Sequence, residues 1–192
     1  MAKLQKSIQK KAALLKATLH LINNGGIQEA SMAKIAKLAA VSPATIYLYF
    51  ENKQDLINQL YLSVKEMYAK VAFENYESNN PVKKCFEQIW LNMARFKQDM
   101  PEESSFLSQC DNTPMIDEET REQGLVYLHP LFSLWERGQA EGIIKEISPY
   151  LLYAYTIYPT AFLMNMHARE LFKVDNEVLH LAFQLAWDSI KV

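Results

Sequence analysis

The stretch that decides the fold is residues 31–53, which read SMAKIAKLAAVSPATIYLYFENK. Its apolar residues recur at the spacing i, i+3, i+4, i+7 from Met32 to Ala39, and Ser31 stands before them as an N-cap. After a short break, Ser42-Pro43 has the pattern of a capping serine and a first-turn proline, which starts a second helix of about eight residues. The sequence therefore predicts two short helices joined by a tight turn.

Such a pair of helices is typical of a helix-turn-helix, in which the first helix braces the second and the second enters the major groove of DNA. On the second helix, Tyr47 and Tyr49 offer hydroxyls to phosphates or bases. Lys53 stands at the start of the next helix, where an ammonium and free backbone N–H groups attract a phosphate. An ordinary turn between two core helices is the alternative, but such a turn has little use for two tyrosines beside a lysine.

The distribution of charge supports the DNA-binding interpretation. Residues 1–53 contain eight lysines against two acids, a net charge of +6, whereas residues 54–192 carry −8. A basic module attached to an acidic body is typical of a protein that binds phosphate through one end. A lysine-rich first helix that is simply solvated is the alternative explanation.

The rest of the chain predicts helices throughout, nine in all, and no strand, so the expected fold class is all-α. The first helix has an apolar stripe from Ile8 to Ile22 and stops at Asn23-Asn24-Gly25-Gly26. A helix from Asp117 to Gly138 and another over 148–168 each contain an internal proline, Pro130 and Pro159, which predicts a kink.

Several classes of protein are disfavoured by the composition. The chain has no run of 18 apolar residues and no apolar leader after Met1, which argues against membrane insertion and export. Cys85 and Cys110 form no CxxC pair, so neither a disulfide framework nor a zinc site is expected. We expect a cytoplasmic protein with no metal and no cofactor.

Three segments carry a resemblance to a known family. They are GIQEASMAKIA (26–36), AAVSPATIYLYF (39–50) and NKQDL (52–56), which in this order resemble the signature of the TetR family of transcriptional regulators. The resemblance implies a three-helix DNA-binding head, residues 1–52, and a six-helix body, residues 53–192, which binds a small effector and forms a homodimer. It also implies a repressor that a hydrophobic effector releases from a palindromic operator.

The motif and the resemblance together predict the DNA-binding set. Tyr47 and Lys53 are expected to act chiefly on phosphates, and Ala44 and Thr45 on bases. The full set is Lys34, Ser42, Pro43, Ala44, Thr45, Tyr47, Leu48, Tyr49 and Lys53.

Two alanines and a leucine depart from the family's commonest pattern. Ala40 stands where glycine is usual in the turn, and a positive φ there would cost about 1 kcal/mol. Ala44 also replaces a frequent glycine. Leu48 is apolar at a position that is often polar or aromatic, so a contact with a thymine methyl is expected in place of a hydrogen bond. These departures bear on which bases are read.

The body carries aromatic and methionine side chains that suit a cavity for a hydrophobic or planar effector. Stripes at helical spacing are more often plain core, and the family resemblance is what favours a cavity. The predicted pocket residues are Trp90, Met93, Phe96, Tyr127, Phe132, Trp135, Tyr153 and Met164.

The last two predicted helices have apolar residues on more than one face. Packing against the rest of the same chain would leave some of these residues uncovered. Excess apolar surface at a chain end is what a symmetric four-helix dimer interface requires. The residues predicted to form this interface are Leu151, Tyr155, Phe162, Leu181, Leu185 and Trp187. Dimerisation would place two recognition helices in successive major grooves of a palindromic site.

Two other classes of function compete with this interpretation. An enzyme is disfavoured because the chain has no GxSxG, HExxH, P-loop or dinucleotide fingerprint, and we assign no catalytic residue. A small all-α protein that binds a lipid or a partner without DNA is the alternative, but it leaves the basic head unexplained. For the regulator, we expect the uninterrupted helix from Lys53 to couple effector binding to the DNA-binding head.

Overall fold

The all-α prediction is confirmed by the computed structural model, which describes residues 2–192, and their side chains from Leu4 onward. This description leaves out Met1, at which the predicted N-terminus without an apolar leader begins. It also leaves out the side chains of Ala2 and Lys3. The eleven helices are α1 (Ala2–Glu29), α2 (Met32–Leu38), α3 (Pro43–Ile46), α4 (Lys53–Ala72), α5 (Val82–Asp99), α6 (Pro101–Asn112), α7 (Glu118–Val126), α8 (His129–Ala140), α9 (Pro149–Thr156), α10 (Tyr158–Ala168) and α11 (Asn176–Ile190). Among residues 2–192, the only β-type backbone pairing is one isolated antiparallel bridge between Ile144 and Lys191.

Two compact units make up the chain. Unit 1 comprises residues 1–65 and 105–124, and unit 2 comprises residues 66–104 and 125–192. These units group residues by packing, and the functional division at residue 52 stays a prediction. Within residues 2–192, every helix is too short or too polar to cross a lipid bilayer.

Side-chain caps start the helices at the predicted places. Ser31 accepts a hydrogen bond from the Lys34 amide, Ser42 from the Thr45 amide and Ser148 from the Leu151 amide. Asp117 caps α7 in the same way through the Thr120 amide at 2.9 Å. Each cap satisfies one of the N–H groups that a helix leaves without an internal partner.

The number and length of the predicted helices need correction. Pro130 and Pro159 do not kink long helices; they occupy the first turns of α8 and α10, so two predicted helices are four. A proline has no amide to donate and its ring clashes with the carbonyl four residues back, which makes a helix start its favoured place. The first helix is interrupted at Gly26, whose φ is 73°, within the predicted stop.

The corner between α2 and α3 is closed by backbone hydrogen bonds. The Ala40 amide donates to the Lys37 carbonyl at 3.2 Å and the Val41 amide donates to the Ala36 carbonyl at 3.0 Å. This pair of bonds is the Schellman motif, which requires a left-handed residue after the helix cap. Ala40 is that residue, with a φ of 53°. The backbone strain expected for this alanine is therefore present.

Unit 1 has an apolar core that holds the two short helices in place. Ile35 of α2 and Ile46 of α3 are fully buried, as are Phe50 in the following turn and Leu56 of α4. The predicted stripe of α1 is only half correct, because Ile8 is exposed while Leu19 and Ile22 are buried.

A lysine is buried in the same unit. Lys65 is only 5% exposed, and its Nζ lies 5.5 Å from the centre of the Tyr61 ring. Burial lowers the pKa of Lys65, because a charged ammonium loses its hydration there, and Asp111 and Cys110 oppose this only in part. Burial also raises the pKa of the neighbouring Cys110 thiol to about 12.

Unit 2 is organised around α5, which packs against α8, α10 and α11. Phe86 of α5 lies within ring contact of Trp135, Phe183 and Trp187, at centroid distances of 6.4, 6.1 and 6.1 Å. Aromatic rings at these separations bury large apolar areas, and these four form one cluster in the interior of this unit.

Replacing Ala40 with glycine is expected to raise the free energy of unfolding by about 1 kcal/mol, because glycine adopts a positive φ without the Cβ clash. Ala44→Gly is the matched control, since Ala44 lies inside α3 with an ordinary helical backbone. That variant should lower the free energy of unfolding by about 0.5–1 kcal/mol. Urea unfolding of both variants measures the difference, and a loss of stability in Ala40→Gly would contradict the assignment of strain to this residue.

Candidate nucleic-acid interface

Residues 42–50, here named the recognition segment, contain most of the predicted DNA-binding residues. Its helical part, α3, has four residues where about eight were predicted. The Leu48 and Tyr49 amides donate to carbonyls three residues back, at 3.1 and 3.0 Å, so the chain continues as a tight turn. Buried Ile46 and Phe50 fix this turn to the core of unit 1.

One side of the recognition segment is open to solvent. Leu48 is 81% exposed and Tyr47 is 58% exposed, although both are large apolar or aromatic side chains. Ser42, Pro43 and Ala44 are exposed beside them. An exposed Leu–Tyr pair next to small residues suits contact with a base edge and a phosphate.

The two hydroxyls at the start of the segment hold each other. Ser42 Oγ and Thr45 Oγ1 are 2.7 Å apart, and Ser42 Oγ also accepts a hydrogen bond from the Thr45 amide at 3.2 Å. Ser42 therefore caps α3 and fixes the rotamer of Thr45. A hydroxyl has one proton and two lone pairs, so each retains hydrogen-bonding capacity for a ligand.

Tyr49 is held by a contact that the sequence did not reveal. Its ring is half-buried, and the Ser7 hydroxyl donates to the Tyr49 hydroxyl at 3.2 Å. Lys11, one turn further along α1, places its Nζ 5.8 Å from the centre of the Phe50 ring. The first turns of α1 therefore lie against the recognition segment, across 42 residues of sequence.

The two predicted lysines outside the segment have partners within unit 1. Lys34 is exposed and forms an ion pair with Glu29, which also lowers the pKa of that carboxyl through hydrogen bonding and charge. Lys53 is half-buried and donates to the Ile27 carbonyl. An exposed ion pair is worth little and exchanges readily with solvent, so Lys34 remains available to a phosphate. Lys53 also ties α4 to the end of α1.

The start of α4 has two side-chain caps that sequence reasoning missed. Asn52 Oδ1 accepts a hydrogen bond from the Asp55 amide, and Asp55 Oδ2 accepts one from the Glu51 amide, both at 2.9 Å. The N-x-x-D spacing of these two residues was the available signal. Asp55 places a carboxylate at the end of α4 where a phosphate was expected to bind, which weakens that end as an anion site.

The predicted pocket residues all belong to unit 2, where most of them are core. Trp90, Met93, Phe96, Trp135 and Met164 are buried, whereas Tyr127, Phe132 and Tyr153 are half-buried. The Trp90 indole donates to the Thr156 carbonyl at 2.9 Å. The Trp135 indole N–H is buried and has no hydrogen-bond partner among the described residues.

The predicted dimer residues form an exposed apolar surface, with one correction. Leu151, Tyr155, Phe162, Leu181 and Leu185, on α9, α10 and α11, are exposed. Trp187 is instead buried, because its ring packs on Phe86 inside unit 2. Two further exposed tyrosines, Tyr150 and Tyr158, lie on the same helices and were not predicted.

Comparison with known proteins agrees with the geometry of both units. Residues 14–60 match bacterial regulatory proteins of the tetR family, and residues 81–191 match the tetracyclin repressor-like C-terminal domain. An uncharacterized HTH-type transcriptional regulator from Haemophilus influenzae is 26% identical over 183 residues, which cover 93% of this chain and 94% of that protein.

Two further similarities extend over most of the chain. The fatty acid metabolism regulator protein of Bacillus subtilis is 25% identical over 186 residues, covering 88% of this chain and 91% of that protein. The crystal structure of a TetR family transcription regulator from Marinobacter aquaeolei superposes with a TM-score of 0.91 at 25% identity, over 100% of this chain and 99% of that one. All three of these proteins are named as regulators. With a family match over more than half of its length, the chain belongs to the TetR family of helix-turn-helix transcriptional regulators.

Proposed function

We propose that the head, residues 1–52, together with the start of α4, binds the operator through the recognition segment. The observation that carries this proposal is the exposure of Tyr47 and Leu48 on a turn that Ile46 and Phe50 anchor in the core. A rigid support with exposed contact groups is what a protein needs in order to read a groove at fixed geometry.

The contact roles follow from the chemistry of each side chain. The hydroxyls of Tyr47 and Tyr49 donate hydrogen bonds to phosphate oxygens. Positive charge comes from Lys34 and Lys53. Four small residues allow the backbone to approach base edges closely, namely Ser42, Pro43, Ala44 and Thr45. Leu48 contacts the methyl group of a thymine, since it has no polar atom to offer.

Replacing Tyr47 with phenylalanine removes one hydroxyl and keeps the ring. We expect the operator affinity of the proposed dimer to fall about a hundredfold, because each of its two protomers loses a hydrogen bond to a charged phosphate that contributes about 1.5 kcal/mol. Tyr76→Phe is the control, since it also removes one tyrosine hydroxyl but lies in unit 2, outside the recognition segment and the proposed dimer interface. Fluorescence anisotropy with a labelled operator measures both variants. Equal affinity for wild type and Tyr47→Phe would remove Tyr47 from the phosphate contacts.

We further propose that the exposed apolar surface of α9, α10 and α11 is the homodimer interface. Contiguous leucines and aromatic residues on the surface of a monomer mark an interaction site, and a two-fold dimer buries the same patch on both copies. Two heads held in this way read a palindrome with half-sites about one helical turn apart.

Replacing Leu185, which is 65% exposed, with glutamate is expected to give a monomer, because dimerisation would bury the new carboxylate without a partner. Leu171→Glu is the control at equal exposure, outside the predicted interface set. Analytical ultracentrifugation measures the mass. Selection of duplexes from a random pool should then give an inverted repeat with wild type and no two-fold site with Leu185→Glu. A dimeric Leu185→Glu variant would place the interface elsewhere.

We propose that the regulator is a cytoplasmic repressor that a small hydrophobic effector releases from its operator. The aromatic and methionine side chains of unit 2 supply an apolar environment, and the unpartnered N–H of Trp135 supplies one polar contact for an acceptor atom. The similarity to the fatty acid metabolism regulator protein of Bacillus subtilis makes fatty acids the first compounds to test.

Coupling between effector and operator runs, in this proposal, along α4. This helix starts at Lys53, next to the recognition segment, and continues without glycine or proline to Ala72, which belongs to unit 2. The coupling free energy between the two sites is the same from either side.

Saturating dodecanoate or hexadecanoate is expected to lower operator affinity by between about 5-fold and 150-fold, the range of typical coupling free energies. Trp135→Phe keeps an aromatic ring but removes the N–H, so it should weaken the response while leaving the affinity without fatty acid unchanged. Anisotropy titrations with and without each acid measure both quantities. Unchanged operator affinity with both acids would exclude this class of effector.

A further inference from the structure

The first three turns of α1 project a basic surface that the predicted DNA-binding set does not use. From residue 4 to residue 12, every side chain is exposed except that of Ser7, which is half-buried. Lys6 and Lys10 are one helical turn apart and therefore lie on one face of the helix. The first acidic residue of the chain is Glu29, so this end of α1 carries positive charge alone.

Two contacts fix where this helix end lies. The Ser7 hydroxyl donates to Tyr49 at 3.2 Å, and Lys11 Nζ lies 5.8 Å from the centre of the Phe50 ring. Both partners belong to the recognition segment. The face that carries Lys6 and Lys10 adjoins the face of Ser7, because successive helical residues are about 100° apart around the axis.

No acidic side chain among the described residues neutralises the charge of these two lysines. Lys6 and Lys10 have no ion pair with any acid in the part of the chain that the structure describes. Their long side chains are free to extend from a helix whose position is fixed. Ammonium groups beside a tyrosine that faces a duplex are within reach of the phosphates that flank the groove.

We propose that the first three turns of α1 form a second DNA-contact element, in which Lys6 and Lys10 bind phosphates of the backbone and Ser7 positions the Tyr49 hydroxyl. This inference rests on the proposed function and extends it, since the recognition segment alone reads the groove. The partner is the phosphate backbone of double-stranded DNA, and the contacts are independent of base sequence.

The salt dependence of operator binding tests the lysines. Because the proposed dimer carries each lysine twice, one substitution removes two phosphate contacts and should make the slope of log K against log salt shallower by about 1.8, or about 0.9 for each phosphate. We expect this change in Lys6→Ala and in Lys10→Ala, and no change in Lys16→Ala, which removes another exposed lysine from the next part of the same helix. Circular dichroism checks that all three variants keep the helical content of wild type.

Ser7 is tested by affinity at constant salt. Ser7→Ala is expected to lower affinity about three- to fivefold with an unchanged salt slope, because it removes a positioning hydroxyl and no charge. Ser7→Thr retains a hydroxyl and should recover most of the affinity, which a general packing role for this residue would not predict.

The outcomes separate the two levels of the proposal. If wild type ignores duplex DNA at low salt, the proposed function fails. If wild type binds with a steep salt slope that Lys6→Ala and Lys10→Ala leave unchanged, the second contact element is wrong and the recognition segment stands. Equal slopes in all three lysine variants, each shallower than wild type, would also overturn it, because the effect would then be one of general charge.

Discussion

The corner at Ala40 and Val41 is the constraint on which the DNA-binding unit depends. Two backbone hydrogen bonds close the end of α2, and they can form only if Ala40 adopts a left-handed conformation. Val41 is thereby placed so that Ser42 caps the next helix, and Ile46 and Phe50 then enter the core. Ile46 and Phe50 hold both ends of this tight turn in the core, and between them Tyr47 and Leu48 are exposed while Tyr49 is half-buried.

Much of this unit was predictable from sequence because its signals are local. Capping serines, a proline after the cap and helical spacing all act over three or four residues, and the structure has the caps at Ser31 and Ser42 as predicted. The family pattern has glycine at Ala40, which raised the question of a positive φ there, and the structure has one. The predicted length of α3 was too great. After Ile46 the backbone amides of Leu48 and Tyr49 bond to the carbonyl three residues back instead of four, and this choice depends on packing against the core.

Contacts between distant parts of the chain were beyond sequence reasoning. Nothing in the spacing of residues indicates that Ser7 meets Tyr49 or that Lys53 binds the carbonyl of Ile27. The same limit explains the error at Trp187, because an apolar residue on the last helix packs equally well against its own unit or a second copy. Five of the eight predicted pocket residues are buried, and composition alone does not separate a cavity wall from a filled core.

The buried ammonium of Lys65 makes the folding of unit 1 a proton-linked reaction. In the unfolded chain this group keeps its proton up to about pH 10.5, whereas burial lowers its pKa in the folded unit. Between the lowered pKa and 10.5 the unfolded chain therefore holds a proton that the folded unit has released, so the contribution of Lys65 to the stability of unit 1 rises with pH over this window. Acidification reverses this contribution, because the folded unit must then take up a proton on a side chain that has lost its hydration.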